Sequence, residues 1–140
     1  MYNTIQTPDI AVCHLFIYCC FKDGEVKEEE LDDLAARFTT LGMHRELNFK
    51  DEMIRFRSYK SEILNERDYL KHLITAINPT NELALLSYCI DLMLSDELLD
   101  SSEEQLITTL SELLEIKPEE EALLKKLQVQ RKVVGTQQFF

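Results

Sequence analysis

One element of this chain is written twice. Asp23-Gly24-Glu25-Val26, followed by Glu30, returns as Asp96-Glu97-Leu98-Leu99, followed by Glu103; the aspartate moves from 23 to 96 and the glutamate from 30 to 103, both 73 residues. The same displacement carries Ala11 onto Ala84, Leu41 onto Leu114, Met43 onto Ile116 and Glu46 onto Glu119. Residues 11–46 and 84–119 therefore read as one unit used twice. In each copy an apolar run precedes the acids and a helical pattern follows them, which constrains the chain to helix-turn-helix units that bury their apolar helices.

The periodicity is helical nearly throughout, and it predicts an all-α single-domain bundle of about seven helices over residues 1–140. A first helix from about Asp9 to Lys22 is apolar on almost every side, as a surrounded element would be. Its length and its few β-branched residues argue against a buried strand. A second, Glu28 to Thr40, sets Leu31, Leu34, Ala35, Phe38 and Leu41 on one face, with Gly42 as a C-terminal cap. The middle carries one or two helices: Leu47 to about Leu64 with Met53, Phe56 and Ile63 on one stripe, then a run capped by Asn65 with Leu70, Leu73, Ile74 and Ile77, stopped at Asn78-Pro79. The second unit repeats the plan with Leu83 to Leu94 and Asp100 to Leu114. Pro118 and Glu119 to Glu121 open a last helix with Leu123, Leu124 and Leu127 inward, and the tail from Gly135 to Phe140 reads as frayed. Val12, Phe16, Ile17, Leu85, Leu86 and Ile90 are the expected core, with the two apolar helices packing about a pseudo-twofold.

Charge placement narrows the function. The net charge is −11, and no Lys or Arg stands between His72 and Ile116, a stretch with nine acids. A second acidic block runs from Asp23 to Asp33. Such a surface repels phosphate backbones, so nucleic acid is disfavoured and cations or a basic protein partner are favoured. The one basic, aromatic-interleaved stretch, Arg55-Phe56-Arg57-Ser58-Tyr59-Lys60, has Asp51, Glu52 and Glu62 within a turn and reads as an ion-paired helix face. The apolar run Ala11 to Phe21 is too short to span a bilayer and lacks a basic flank, so a soluble, cytoplasmic protein is expected. Cys13, Cys19, Cys20 and Cys89 sit in apolar stretches without CxxC spacing, as small buried hydrophobes do.

The repeated acids have two readings. Asp100-x-x-Glu103 has the form of a capping box, Glu30 stands at the same place in its helix, and Val26 with Leu31 could form the hydrophobic staple. Asp23 and Asp96, however, follow the carboxyl ends of apolar helices, where a carboxylate costs ~0.3–1 kcal/mol unless something offsets it. An Asx-turn would do so, and so would a cation shared with the following glutamate and nearby carbonyls. The loop is not an EF-hand, since it lacks oxygen ligands at alternate positions and the glutamate at the twelfth.

These residues resemble the TerB-like family associated with tellurite resistance, whose helical domain also resembles the N-terminal part of a membrane-anchored J-domain co-chaperone. The resemblance rests on the twice-used Asp-Gly-x-Val-x-x-x-Glu element. It rests also on the ending Leu113-Leu114-Glu115-Ile116-Lys117-Pro118-Glu119-Glu120, which is similar to that family's Leu-Gly-Leu-Ser-Pro-Glu-Glu. It covers about Ile10 to Met43 and Glu82 to Leu127. It implies a bundle of about seven helices and a divalent-cation site, unknown in metal, built from Asp23, Glu30, Asp96 and Glu103, with no organic cofactor. The second copy departs from the pattern where Glu97 replaces the glycine that would permit a positive φ.

The competing class is an interaction module without chemistry, in which Glu28, Glu29, Asp32 and Asp33 recruit a basic partner. An enzyme is not expected: His14 lies in an apolar helix, and His44 and His72 have no nucleophile in an evident arrangement. Asp91, isolated in the other apolar helix, would need a partner if buried, such as Arg37 or a tyrosine hydroxyl. Phe139-Phe140 is either disordered or docked on a neighbour.

Overall fold

The computed structural model describes residues 2–22, 28–41, 47–94 and 99–136, and among them the protein is all-α. Seven α-helices follow in order: α1 Pro8–Phe21, α2 Glu28–Thr40, α3 Phe49–Tyr59, α4 Glu66–Ile77, α5 Glu82–Met93, α6 Ser101–Leu113 and α7 Pro118–Thr136. Short 3₁₀ turns stand at Tyr2–Thr4 and Lys60–Glu62. No strand occurs among the described residues. The chain divides into two compact units, Met1–Asn78 and Pro79–Phe140.

In the first unit, α1 packs chiefly against α4 and α3. It is apolar around its circumference, and Ala11, Cys13, Leu15, Phe16, Ile17 and Cys19 are all buried. Phe56 and Tyr59 of α3 and Tyr69, Leu70 and Leu73 of α4 complete this core. Tyr2 brings the N-terminal turn onto it, its ring edge-on to Tyr69 at 4.9 Å, and Ile5 is buried completely. In the second unit α5 packs on α6 and α7, with Leu86, Cys89, Ile90 and Met93 buried from α5 and Leu106, Ile107 and Leu110 from α6. Val12 and Leu85, expected as core, are only half-buried.

Helix starts follow from short polar side chains that accept otherwise orphaned amides. The Asn48, Asn65 and Asn81 side chains accept from the amides of Asp51, Asp68 and Ala84 at 3.2, 3.0 and 3.0 Å. The capping box expected at Asp100 is present: its carboxylate accepts the Glu103 amide at 2.8 Å, and Glu103 Oε1 accepts the Asp100 amide at 3.1 Å. α4 ends at left-handed Asn78, φ 49°, before Pro79.

The end of α6 explains one residue of the family-like ending. Glu115 is left-handed, φ 59°, while the Ile116 amide reaches back to the Ser111 carbonyl at 2.8 Å. This is the position where the similar motif carries glycine, the residue that adopts that conformation without a Cβ penalty. Glu115→Gly is accordingly expected to raise stability by ~1 kcal/mol, read as a higher denaturation midpoint with an unchanged slope.

The last helix departs from the reading of its leucines. Leu123 and Leu127 are 56% and 52% exposed, and the inward position belongs instead to Gln128, 4% exposed. The Gln128 amide nitrogen donates to the Ser87 hydroxyl at 2.6 Å and to the Ser87 carbonyl at 3.1 Å. Lys125 joins Glu104 at 2.9 Å and Glu121 at 3.3 Å on the same side. These polar ties set the rotation of α7, so that only Leu124 of its three expected leucines turns partly inward. Leu41, expected inward on α2, is likewise 47% exposed. α7 continues through Gly135 to Thr136, one residue beyond where fraying was expected to begin.

Candidate functional site

The acids singled out on α2 are displayed outward. Glu28, Glu29, Asp32 and Asp33 are all exposed, while Leu34 and Phe38, on the opposite side of the same helix, are 1% and 2% exposed. Phe38 stacks on Phe16 at 5.8 Å and so anchors α2 to α1. Asp33, 66% exposed, accepts from Arg37 Nε at 3.1 Å one turn on. That pair holds a single charge on the face; Glu28, Glu29 and Asp32 carry the rest.

Beside this face, residues of α2 and α3 line an open groove of about 920 Å³. Leu31 and Ala35 of α2 line it with Leu47, Met53 and Ile54, Glu28 and Asp32 stand on the α2 rim, and Lys50 and Arg57 stand on the α3 rim. Ile54 is 68% exposed there.

Of the four acids in the repeated loops, Asp23 and Asp96 lie outside the described residues. Gly42, Val26 and His44 lie outside them as well. Glu30 is exposed at the third position of α2, and Glu103 is buried at the third position of α6. α2 and α6 each have 13 residues and begin at residues 28 and 101, the 73-residue displacement of the loop acids. Glu103 spends one oxygen on the Asp100 amide, so a cation there would share the carboxylate with a helix cap. Among the described residues no group of three or more His, Cys, Asp and Glu is arranged to hold a metal ion.

The histidine of α1 is committed to the core. His14, fully buried, has Nε2 2.7 Å from Glu52 Oε1 and Nδ1 2.6 Å from the Tyr59 hydroxyl, which in turn lies 2.7 Å from the Tyr69 hydroxyl. With the imidazole neutral, Nε2–H donates to the carboxylate, Tyr59 donates to Nδ1 and Tyr69 donates to Tyr59, so every proton has an acceptor. Burial lowers the His14 pKa from its ordinary value, outweighing the Glu52 carboxylate that favours the charged form. Burial raises the phenols of Tyr59 and Tyr69 well above the usual range. A carboxylate-imidazole-hydroxyl order is thus present, but its hydroxyls are buried and resist deprotonation. Nearby, Tyr18 donates to Glu66 Oε1 at 2.6 Å and Lys22 reaches the same oxygen at 2.5 Å, tying α1 to α4.

Of the Arg55 to Lys60 stretch, expected as an ion-paired face, Arg55 alone pairs with an acid among the described residues, while Arg57 and Lys60 lie over the Phe21 ring. Phe56 and Tyr59 point into the core, Arg55 lies 3.7 Å from Glu52 and bonds the Thr4 hydroxyl, and Lys60 covers the Phe21 ring at 4.4 Å. Asp91 is half-buried rather than enclosed. The four cysteines are free thiols, with Cys13, Cys19 and Cys89 buried and Cys20 half-buried. Burial pushes the Cys13 thiol up, as expected of an inert core cysteine.

An all-helical module with a buried histidine committed to the core, an outward acidic helix and a groove beside it is the class these features define. The chain belongs to the TerB family: the family model described as tellurite resistance protein TerB matches residues 9–126. No curated protein and no solved structure matches it. Among the described residues no helix is long and apolar enough to cross a membrane.

Proposed function

We propose that this TerB-family chain is a non-catalytic interaction module that recruits a basic protein partner through the acidic face of α2. The observation that carries this reading is the segregation on α2: Glu28, Glu29, Asp32 and Asp33 face outward while Leu34 and Phe38 fix the helix from behind. A rigid helix that presents like charges at successive turns destabilises itself slightly, and a basic surface relieves that repulsion. The partner's affinity should therefore fall steeply as salt rises, because exposed charges are screened beyond ~8 Å at physiological ionic strength. Titrating salt into a pull-down or a calorimetric binding experiment checks this. Salt-insensitive binding would point to an apolar contact instead.

A second reading assigns the repeated loop acids, Asp23, Glu30, Asp96 and Glu103, to a divalent cation. It is supported by the equal placement of Glu30 and Glu103 at the third position of helices that begin 73 residues apart, at 28 and 101. Two carboxylates per loop make a weak site that carbonyls and waters would complete. On this reading a divalent ion at a hundredfold excess over Kd stabilises the fold by about 2.7 kcal/mol, and Asp23→Asn removes the gain. Melting curves in EDTA and in Ca²⁺, Mg²⁺, Mn²⁺ or Zn²⁺ test it. Identical curves, with Asp23→Asn destabilising in EDTA by ~1 kcal/mol, would leave the aspartate as a turn-former only.

A further inference from the structure

We infer that the groove between α2 and α3 is a docking site for one amphipathic α-helix of the partner, seated with its apolar stripe on Leu31, Met53 and Ile54. The inference rests on the interaction-module reading and gives its partner a shape. Ile54 is 68% exposed on a helix whose neighbouring Met53 and Phe56 are buried, so the groove floor offers apolar surface directly to solvent. The rims carry opposite signs, Glu28 and Asp32 on α2 against Lys50 and Arg57 on α3, and among the described residues none of these four makes an ion pair. An occupant complementary to this groove is apolar along its middle, basic on the flank facing α2 and acidic on the flank facing α3. Among the common modes of peptide recognition, strand addition requires a sheet edge, and no strand occurs among the described residues. Polyproline recognition uses an aromatic-lined groove, whereas Phe49 is the one aromatic lining residue here and already tilts against Phe38 at 5.6 Å. An amphipathic helix with segregated flanks matches this lining, its apolar stripe on the apolar residues and its flanks on both rims at once.

The test uses the full chain and three synthetic amphipathic helices with the same leucine stripe: one with lysines on one flank and glutamates on the other, one with lysines on both, one with glutamates on both. Fluorescence anisotropy should show the segregated peptide binding about tenfold or more tightly than either control. Ile54→Glu, at an exposed position that folding does not use, should weaken it by at least about tenfold. Equal affinity for all three peptides, or no binding at millimolar peptide, overturns the inference. Salt-sensitive binding that falls when the α2 acids are reversed yet is unchanged in Ile54→Glu also overturns it, while leaving the acidic-face reading intact. Saturation of the groove by a small apolar dye that the segregated peptide cannot displace assigns the groove to small ligands and overturns it as well.

Discussion

Phe56→Ala is expected to cost about 3–5 kcal/mol, a large part of the margin of a chain this size. The ring is fully buried and lies where α3 meets α1: it stands 5.3 Å from Phe21 and 6.5 Å from Tyr18 of α1, and 5.5 Å from Tyr59 on its own helix. Truncation removes the ring's transfer energy and leaves a void beside His14, 6.1 Å away, whose hydrogen bonds hold α1 and prevent collapse onto the gap. Denaturant unfolding monitored by circular dichroism measures the loss. A cost below about 1 kcal/mol would show that α3 is not packed as described.

His14→Leu should cost about 1–3 kcal/mol for a different reason. It leaves the Tyr59 hydroxyl short of an acceptor in a buried site, whereas Glu52, 13% exposed and 3.7 Å from Arg55, retains water and a cation. Removing the Tyr59 and Tyr69 hydroxyls as well, as Tyr59→Phe with Tyr69→Phe, should recover part of the loss, because a buried chain of hydroxyls replaced whole by apolar groups leaves fewer orphans than one member removed. The same histidine sets a pH dependence. Its folded pKa lies below the unfolded value of about 6.5, so the unfolded chain binds the extra proton first. The stability of the neutral, buried imidazole is therefore fully present above about pH 6.5 and is lost as pH falls toward the folded pKa, at up to about 1.4 kcal/mol per pH unit. Comparing the pH dependence of unfolding in the protein and in His14→Leu isolates this contribution. Equal slopes would contradict it.

Much of the fold is legible because local rules agree with one another. The bounds of α2, Glu28–Thr40, follow from an acidic first turn and an apolar stripe, and the Asp100–Glu103 capping box is written in four residues. What periodicity does not convey is which face wins when leucines and polar residues compete. On α7, Leu123 and Leu127 suggest one inward face, but Gln128 finds the Ser87 hydroxyl and carbonyl, and partners forty residues distant in sequence leave no local signal. The His14 network is hidden for the same reason: Glu52, Tyr59 and Tyr69 come from two other helices. A histidine in an otherwise apolar helix does announce that partners must exist, though not which. The groove is invisible to sequence because its lining is shared between α2, α3 and the turn before α3, a tertiary fact, although its acidic rim, Glu28 and Asp32, is drawn from the residues that charge patterning selects.

On the interaction-module reading, the outward acids of α2 hold the partner. Reversing them together, as Glu28→Lys, Glu29→Lys, Asp32→Lys and Asp33→Lys, replaces four negative charges by four positive ones on exposed positions, where single substitutions ordinarily change stability by less than about 0.5 kcal/mol. The direct measurement is the affinity of the captured basic partner for this variant and for the unaltered chain at low salt, with matching melting curves for both. Binding by the unaltered chain, abolished in the folded variant, is the expected result; equal affinity for the two would refute the role of the α2 acids.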